Sequence, residues 1–322
     1  MRSKDGEMLA HKAVYFRITK YHAGESWSLE DSSPIIHSDT FFGGLAWSYR
    51  ELYGKDEVEA FIEACRRKAL LFSSLYPCKI GGVTLYPLLL NFFIDVRELF
   101  KERPWAVSEK IFRKLIDGVP VRELKDSLKV HGGVLYAADE EPVELKMVKS
   151  YKNVRDRLVG STDLWRLSYY VLGDGCGLRL FYRVIEPREV SEKRLLSALR
   201  LLSENGLGGE RSIGLGSSSQ PPVIREESMD EPKDAKFFVT LSLYYPTKKE
   251  VEKYAERRLY YQLVERGGFR DYRAGAKRNM IVRMFREGSV FPMVDKYPGS
   301  LVDVGGVYRY GLAYPIGVRV KT

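Results

Sequence analysis

The run Asn205–Gly216, NGLGGERSIGLG, constrains this chain more than any other segment. It follows SEKRLLSALRLLSE, in which Leu195, Leu196, Leu199 and Leu202 recur on one helical face. Asn205 and Gly206 tolerate the left-handed backbone that ends helices. The fold must therefore deliver a helix C-terminus to a glycine cluster and then to the extended PPVIREE. Glycines let a backbone approach a ligand closely, and successive exposed amides form an anion-binding concavity. Arg211 adds a planar guanidinium suited to phosphate. Gly206, Gly208, Gly209, Arg211, Ser212, Gly214 and Gly216 are thus candidate contacts to a phosphate-rich polymer. A glycine-rich connection between a helix and an edge strand fits the same letters.

Two nucleotide motifs fail on spacing. A dinucleotide fingerprint opens a helix after a strand, whereas here a helix precedes the glycines and Arg211 stands where the third glycine belongs. Gly209 and Gly214 have the gap of a P-loop, but Leu215 and Gly216 follow in place of Lys and Ser/Thr.

The 322 residues suffice for two domains, and the net charge of +9 favours a polyanionic partner. No apolar run reaches the roughly 18 residues of a membrane span, and MRSKDGEMLAHKA has no signal-peptide core, so a cytoplasmic protein is expected. Cys65, Cys78 and Cys176 form no C-x-x-C pair, which argues against a disulfide framework and structural zinc. His11, His22, His37 and His131 lack metal-binding spacing, so no metal or other cofactor is expected. Only two glutamines, Gln220 and Gln262, stand among many Lys, Arg and Glu, a thermophile's pattern.

Element order follows from periodicity. AVYFRITK reads as a strand, Thr40 to about Tyr53 as a helix with Ser38 and Asp39 as caps, and DEVEAFIEACRRKALL as a second helix. LLFSSLYP, VTLYPLLL and GLRLFYRVIE read as strands. Residues 91–175 read as an irregular insertion with one short helix, VSEKIFRKLID. A polar stretch, EESMDEPKDAK, marks a boundary that divides 1–230 from 231–322. Beyond it FFVTLSLYYP reads as a strand, TKKEVEKYAERRLYYQLVE as a helix, and GFRDYRA, NMIVRMF and VYRYGLAYP as strands. The order predicts an α+β protein with two ferredoxin-like (RRM-like) βαββαβ units and an insertion in the first.

Two further segments suit RNA. A helix start at His37, Ser38, Asp39 and Thr40 presents free amides and a positive dipole end to phosphate, although a simple cap explains Ser38 and Asp39 as well. In KSYKNVRDRLVGSTD, Tyr151, Lys152, Asn153, Arg155 and Arg157 combine cations with an aromatic, the combination that holds single-stranded RNA, or else form a solvated basic loop. Arg270, Arg273, Lys277, Arg278, Arg283 and Arg286 form a second basic cluster facing RNA, protein or solvent. Gly43 and Gly44 early in the first helix imply something packed close.

These motifs together carry a resemblance. IHSDTFFGGLAW resembles the first-helix signature of RAMP proteins of CRISPR systems, YKNVRDRLVGSTD their N-x-x-D-R-x-T-G region in relaxed form, and NGLGGERSIGLG their glycine loop. FREGSVF and YRYGLAYPI resemble patterns near the family's C-terminus. In the second motif, Arg155 and Val159 depart from the family pattern. The combination is most similar to the type III-A (Csm) effector subunit that caps the crRNA 5′ end. The resemblance implies ferredoxin-like domains that bind the 5′ repeat-derived tag, and a thumb-like insertion near the junction with the guide. It implies contacts with a large polymerase-like CRISPR subunit and a neighbouring backbone RAMP subunit, and no catalytic residue. An alternative is a metal-independent RAMP endoribonuclease that processes precursor crRNA, with His22 and His37 and Tyr15 or Tyr21 as acid–base groups. Another is the equivalent capping subunit of a type III-B complex.

Overall fold

A computed structural model describes residues 11–25, 29–155, 162–267, 269–270, 277–278 and 280–320. In chain order, β1 (His11–Phe16) leads to α1 (Ser38–Tyr53), α2 (Lys55–Arg66), β2 (Leu70–Phe72) and β3 (Tyr76–Lys79). A long hairpin, β4 (Leu145–Arg155) and β5 (Thr162–Leu172), precedes β6 (Cys176–Val184), α3 (Glu192–Asn205) and β7 (Val223–Glu227). The main sheet runs β7-β1-β6-β2, and β3 pairs with the other end of β6. Its pairings are antiparallel, with Val14 opposite Leu180 and Ile224.

α1 and α3 lie where sequence periodicity put them, whereas α2 ends at Arg66 and the leucines of KALL begin β2; packing explains Gly44 but not Gly43. A Cβ at Gly44 would stand 2.8 Å from Leu202 Cδ1, so α1 and α3 touch through a position that has no room for a side chain. Gly43 has open space on the exposed side of α1. Phe41, Phe42 and Phe61 from α1 and α2 pack with Phe72 of β2 and with Tyr310 from the far end of the chain. Each buried phenylalanine contributes about 1.5–3 kcal/mol of apolar transfer.

The region 91–175 is regular where the sequence suggested irregularity. The strands Leu85–Pro87, Ala106–Ser108, Val134–Ala137 and Leu128–His131 form a sheet in that order, beside the helix Glu109–Ile116. These strands have three or four residues, too few for alternation to be visible in the sequence. The hairpin β4–β5 then pairs eleven residues of each strand, from Arg155↔Thr162 to Leu145↔Leu172. Its strands carry polar and apolar residues on both faces, so no buried face repeats with period two.

The rest of the chain holds β8 (Phe237–Thr240), α4 (Lys248–Tyr254), β9 (Leu263–Arg266), β10 (Val282–Phe285), β11 (Val290–Pro292), β12 (Gly299–Asp303), β13 (Tyr308–Leu312) and β14 (Pro315–Val318). The sheet order is β11-β8-β14, with β9–β10 and β12–β13 as separate pairs. The helix expected over TKKEVEKYAERRLYYQLVE stops at Tyr254. Thr247 caps its start in a reciprocal box with Glu250, Ala255 is extended, and Glu256 takes a positive φ of 64°. From Leu263 burial alternates, and the chain becomes strand β9. Val239, Leu241, Val290, Tyr310, Leu312, Tyr314 and Ile316 share one apolar cluster with the main sheet. Cys65, Cys78 and Cys176 are buried free thiols. Among the described residues, no helix is long and apolar enough to cross a membrane.

Candidate nucleic-acid interface

The glycine loop begins where α3 ends and folds back onto the segment after β1. Gly206 N–H donates to Leu202 O at 3.0 Å, and Leu207 N–H donates to Gly216 O at 2.9 Å, which closes the loop on itself. Gly216 N–H donates to Lys20 O at 2.7 Å and Gly209 N–H to His22 O at 2.9 Å. Gly206, Gly208 and Gly216 have positive φ, and at Gly208 and Gly216 a Cβ would overlap the carbonyls of His22 and Leu207. Those glycines are therefore required by the protein's own backbone. The loop tip is different. Arg211, Ser212, Ile213 and Gly214 are exposed, with Arg211–Ile213 in a 3₁₀ turn, and Gly214 has φ of 84° and nothing within 4 Å of a Cβ. Arg211, Ser212 and Ile213 are the exposed side chains of the tip, with Glu210 half-buried beside them.

The hairpin offers a second exposed surface. Tyr151 is 70% exposed, and the Arg166 guanidinium lies over its ring at 5.6 Å, directly across the strands. Leu164 opposite Asn153 is 71% exposed. Lys149 and Asn153 are exposed and Lys152 is half-buried. Arg155 lies in β4 with its side chain outside the described residues, and so does the whole of Arg157. Sequence reasoning missed Arg166 and Leu164, which lie on the partner strand ten or more positions away and become neighbours only through register. It also missed Lys20 and Lys146, which flank Val171 on one sheet face, and Arg17 at the end of β1; all three cations are exposed.

The motif His37-Ser38-Asp39-Thr40 is placed elsewhere. The N-cap of α1 is His37, not Ser38 or Asp39, and it makes no side-chain cap bond. Ser38 N–H donates to Ser74 Oγ at 2.9 Å, and Ser38 Oγ accepts from Leu243 N–H at 3.1 Å. Asp39 accepts from Arg266 Nε at 3.1 Å and Nη2 at 2.9 Å, with Arg309 Nη1 at 3.5 Å. Thr40 Oγ1 accepts from Arg266 Nη2 at 2.9 Å. His37 Nδ1 lies 2.8 Å from Glu287 Oε1, and its Nε2 lies 3.4 Å from Glu25. His37, Ser38 and Asp39 are buried. Their polar groups join α1 to β9, β13 and the turn before β11, so the side chains of this helix start clamp the two halves of the chain together.

Electrostatics follow from that burial. Desolvation pushes Asp39 upward, but the Arg266 guanidinium overrides it and holds the carboxyl below its usual range. Desolvation also works against His37⁺, yet Glu287 raises the imidazole above its ordinary value. Glu25 is drawn down to about 2, against its own desolvation, by His37 and Arg286.

The acid–base candidates do not converge. The His22 ring bonds to Ser168 O at 2.7 Å, Tyr21 donates its hydroxyl to Pro34 O at 2.5 Å, and Tyr15 donates to Glu227. Tyr15, Tyr21, His22 and His37 are all buried. In the second basic cluster, Arg283 pairs with Glu265 at 3.0 Å and Arg286 with Glu25 at 2.6 Å. Arg270, Lys277 and Arg278 lie in short strands with side chains outside the described residues, which also exclude Arg273. Among the described residues, no group of three or more His, Cys, Asp or Glu is placed to hold a metal.

A main sheet ordered β7-β1-β6-β2, a glycine loop after α3 and a long hairpin occur here in one chain, and residues 18–219 match the RAMP superfamily. The chain belongs to the RAMP superfamily. Residues 233–318 of this RAMP protein match the CRISPR Csm4 C-terminal domain. It is 24% identical over 339 residues to a CRISPR system protein Csm4 of Methanocaldococcus jannaschii, covering 89% of this chain and 86% of that protein. It is 25% identical over 297 residues to a Csm4 of Thermococcus onnurineus, covering 89% and 92%. Its fold is similar to a chain of the Csm3–Csm4 subcomplex from the type III-A CRISPR-Cas interference complex, with TM-score 0.69, 17% identity and coverage of 96% and 99%. A chain of a Csm1–Csm4 cassette bound to AMPPNP matches with TM-score 0.59 and 19% identity, covering 97% and 99%.

Proposed function

We propose that this RAMP protein is the non-catalytic subunit that caps the 5′ repeat-derived tag of crRNA in a type III-A interference complex. One observation carries the reading: the exposed tip Arg211–Gly214 and the exposed Tyr151–Arg166 pair are both anchored on the segment Lys20–His22. The tip offers a guanidinium for phosphate and the hairpin an aromatic face for a base. Lys149, exposed on the same hairpin face as Tyr151, adds a cation beside that pair, whereas Lys20 and Lys146 lie on the opposite face. Similarity over 89% of the chain to Csm4 proteins supports type III-A membership. The solved relatives pair with Csm3 and with Csm1, which supports a backbone RAMP and a large polymerase-like subunit as this chain's partners.

The reading also includes the architecture: a ferredoxin-like N-terminal unit over 1–230, a second, reduced one over 231–322, and the hairpin β4–β5 as the thumb. The order β7-β1-β6-β2, with α1 and α3 in the two crossovers, supports the first. In the second, the hairpin β12–β13 stands where another helix belongs.

The reading is tested by titrating the full chain with tag-bearing single-stranded RNA across a salt series. Affinity falls with a log–log slope of about −0.7 per phosphate contact. Arg211→Ala reduces that slope by roughly one contact and leaves the melting temperature unchanged. Equal affinity for duplex DNA, or no salt dependence, contradicts the reading.

A further inference from the structure

The segment Thr19–His22 gives one edge to the hairpin and the other to the glycine loop. Toward the hairpin, Leu172 N–H donates to Thr19 O at 2.8 Å, and Lys20 and Tyr21 lie opposite Val171 and Tyr170. Toward the loop, Lys20 O and His22 O accept from Gly216 and Gly209. His22 engages both sides at once. Its backbone forms an antiparallel bridge with Gly209, and its ring Nδ1 lies 2.7 Å from Ser168 O on β5. A carbonyl oxygen only accepts, so the ring carries its proton on Nδ1 and donates. The ring also lies against the loop, since a Cβ at Gly209 would stand 2.7 Å from His22 Cδ2. Gly209 has no positive φ, so this contact and not backbone conformation is the reason for glycine there.

We propose that His22 is a positioning residue that locks the glycine loop to the hairpin, so that both hold one RNA strand in a fixed register. The proposal rests on the RNA-binding reading above. It predicts that the loop and the hairpin move together, and that loosening His22 uncouples them without removing any RNA contact.

Two measurements test it on the full chain. Spin labels at Ser212→Cys and Lys149→Cys report the distance from loop tip to hairpin without RNA. Burial pushes the thiols of Cys65, Cys78 and Cys176 upward, Cys78 to about 12, so labelling goes to the two exposed positions. The wild-type distance distribution is narrow. His22→Asn keeps it narrow because the amide places a donor near Nδ1, whereas His22→Ala and His22→Gln broaden it. Gly209→Ala broadens it as well, and adding His22→Ala makes that variant no worse, because the ring it strikes is gone. The second measurement is a cycle of Arg211→Ala and Tyr151→Ala, read as affinity for tag-bearing single-stranded RNA. In wild type the two losses are non-additive by at least about twofold, and in His22→Asn they stay so. In His22→Ala, or in His22→Gln if the alanine variant does not fold, they become additive. An unchanged distance distribution in His22→Ala and His22→Gln, equal broadening in His22→Asn and His22→Gln, or a cycle indifferent to His22 overturns the proposal. If neither Arg211→Ala nor Tyr151→Ala weakens RNA while the distances still respond to His22, the RNA reading fails and the lock stands.

Discussion

Asp39→Ala is the substitution that separates a clamp at the start of α1 from a phosphate site there. The carboxylate has no side-chain exposure and receives Arg266 Nε and Nη2, while Arg266 is itself 6% exposed at its side chain. Removing the carboxylate leaves a buried guanidinium whose remaining hydrogen-bond partners among the described residues are Thr40 Oγ1 at 2.9 Å and Gly24 O at 3.3 Å, and Arg309 beside it loses the anion it faces. Breaking a buried pair from one side costs about 3–5 kcal/mol, because the surviving charge stays desolvated. At about 2 °C per kcal/mol, the lower end for large domains, the melting temperature falls by roughly 6–10 °C. Removing both partners, as in Asp39→Leu with Arg266→Met, costs less than Asp39→Ala because Arg266 is no longer stranded and Arg309 alone loses a partner. Differential scanning calorimetry at neutral pH reads the stability, and RNA titration well below the transition reads binding. The clamp predicts destabilised proteins that bind RNA as wild type does when folded. An Asp39→Ala protein that melts within about 1 kcal/mol of wild type but has lost RNA refutes the reasoning.

The remaining predictions concern pH, the hairpin and the loop. His37 is raised, so its contribution is fully present below the ordinary histidine value and is lost as pH rises through the elevated one; urea midpoints fall across that window, and His37→Gln flattens the fall. Asp39, Glu25 and Glu287 are depressed, so their contributions hold at neutral pH and disappear as pH drops below the usual carboxylate range, read as acid unfolding by circular dichroism. Tyr151→Ala leaves the melting temperature unchanged and weakens RNA by about 1–3 kcal/mol, whereas Tyr151→Phe retains most of the affinity in a filter-binding assay. Gly216→Val forces a side chain into Leu207 O at positive φ and lowers the melting temperature whether or not RNA is bound.

How far the sequence spoke depended on where each feature's partner lay. The glycine run announced a tight loop, and α3 before it announced a helix, because both signals are local. The reason for the glycines was not local. Lys20 and His22, whose carbonyls they approach, lie almost two hundred positions earlier. His37, Ser38 and Asp39 read as a helix start because caps are a local pattern, but Arg266, Glu287 and Arg309 that claim them come from the far end of the chain. The basic Tyr151 segment was legible as chemistry and not as a strand, since its polar residues fall on both faces. Its strongest feature, Arg166 over Tyr151, exists only through the β4–β5 register.

Nuclease protection mapping on tag-bearing single-stranded RNA, with and without divalent metal, tests the central claim most directly. A capping subunit protects the 5′ tag alone, leaves the RNA intact in both conditions, and loses the protection in Arg211→Ala and Tyr151→Ala. Protection spread evenly along the guide, or site-specific cutting that disappears in His22→Ala or His37→Ala, contradicts the account.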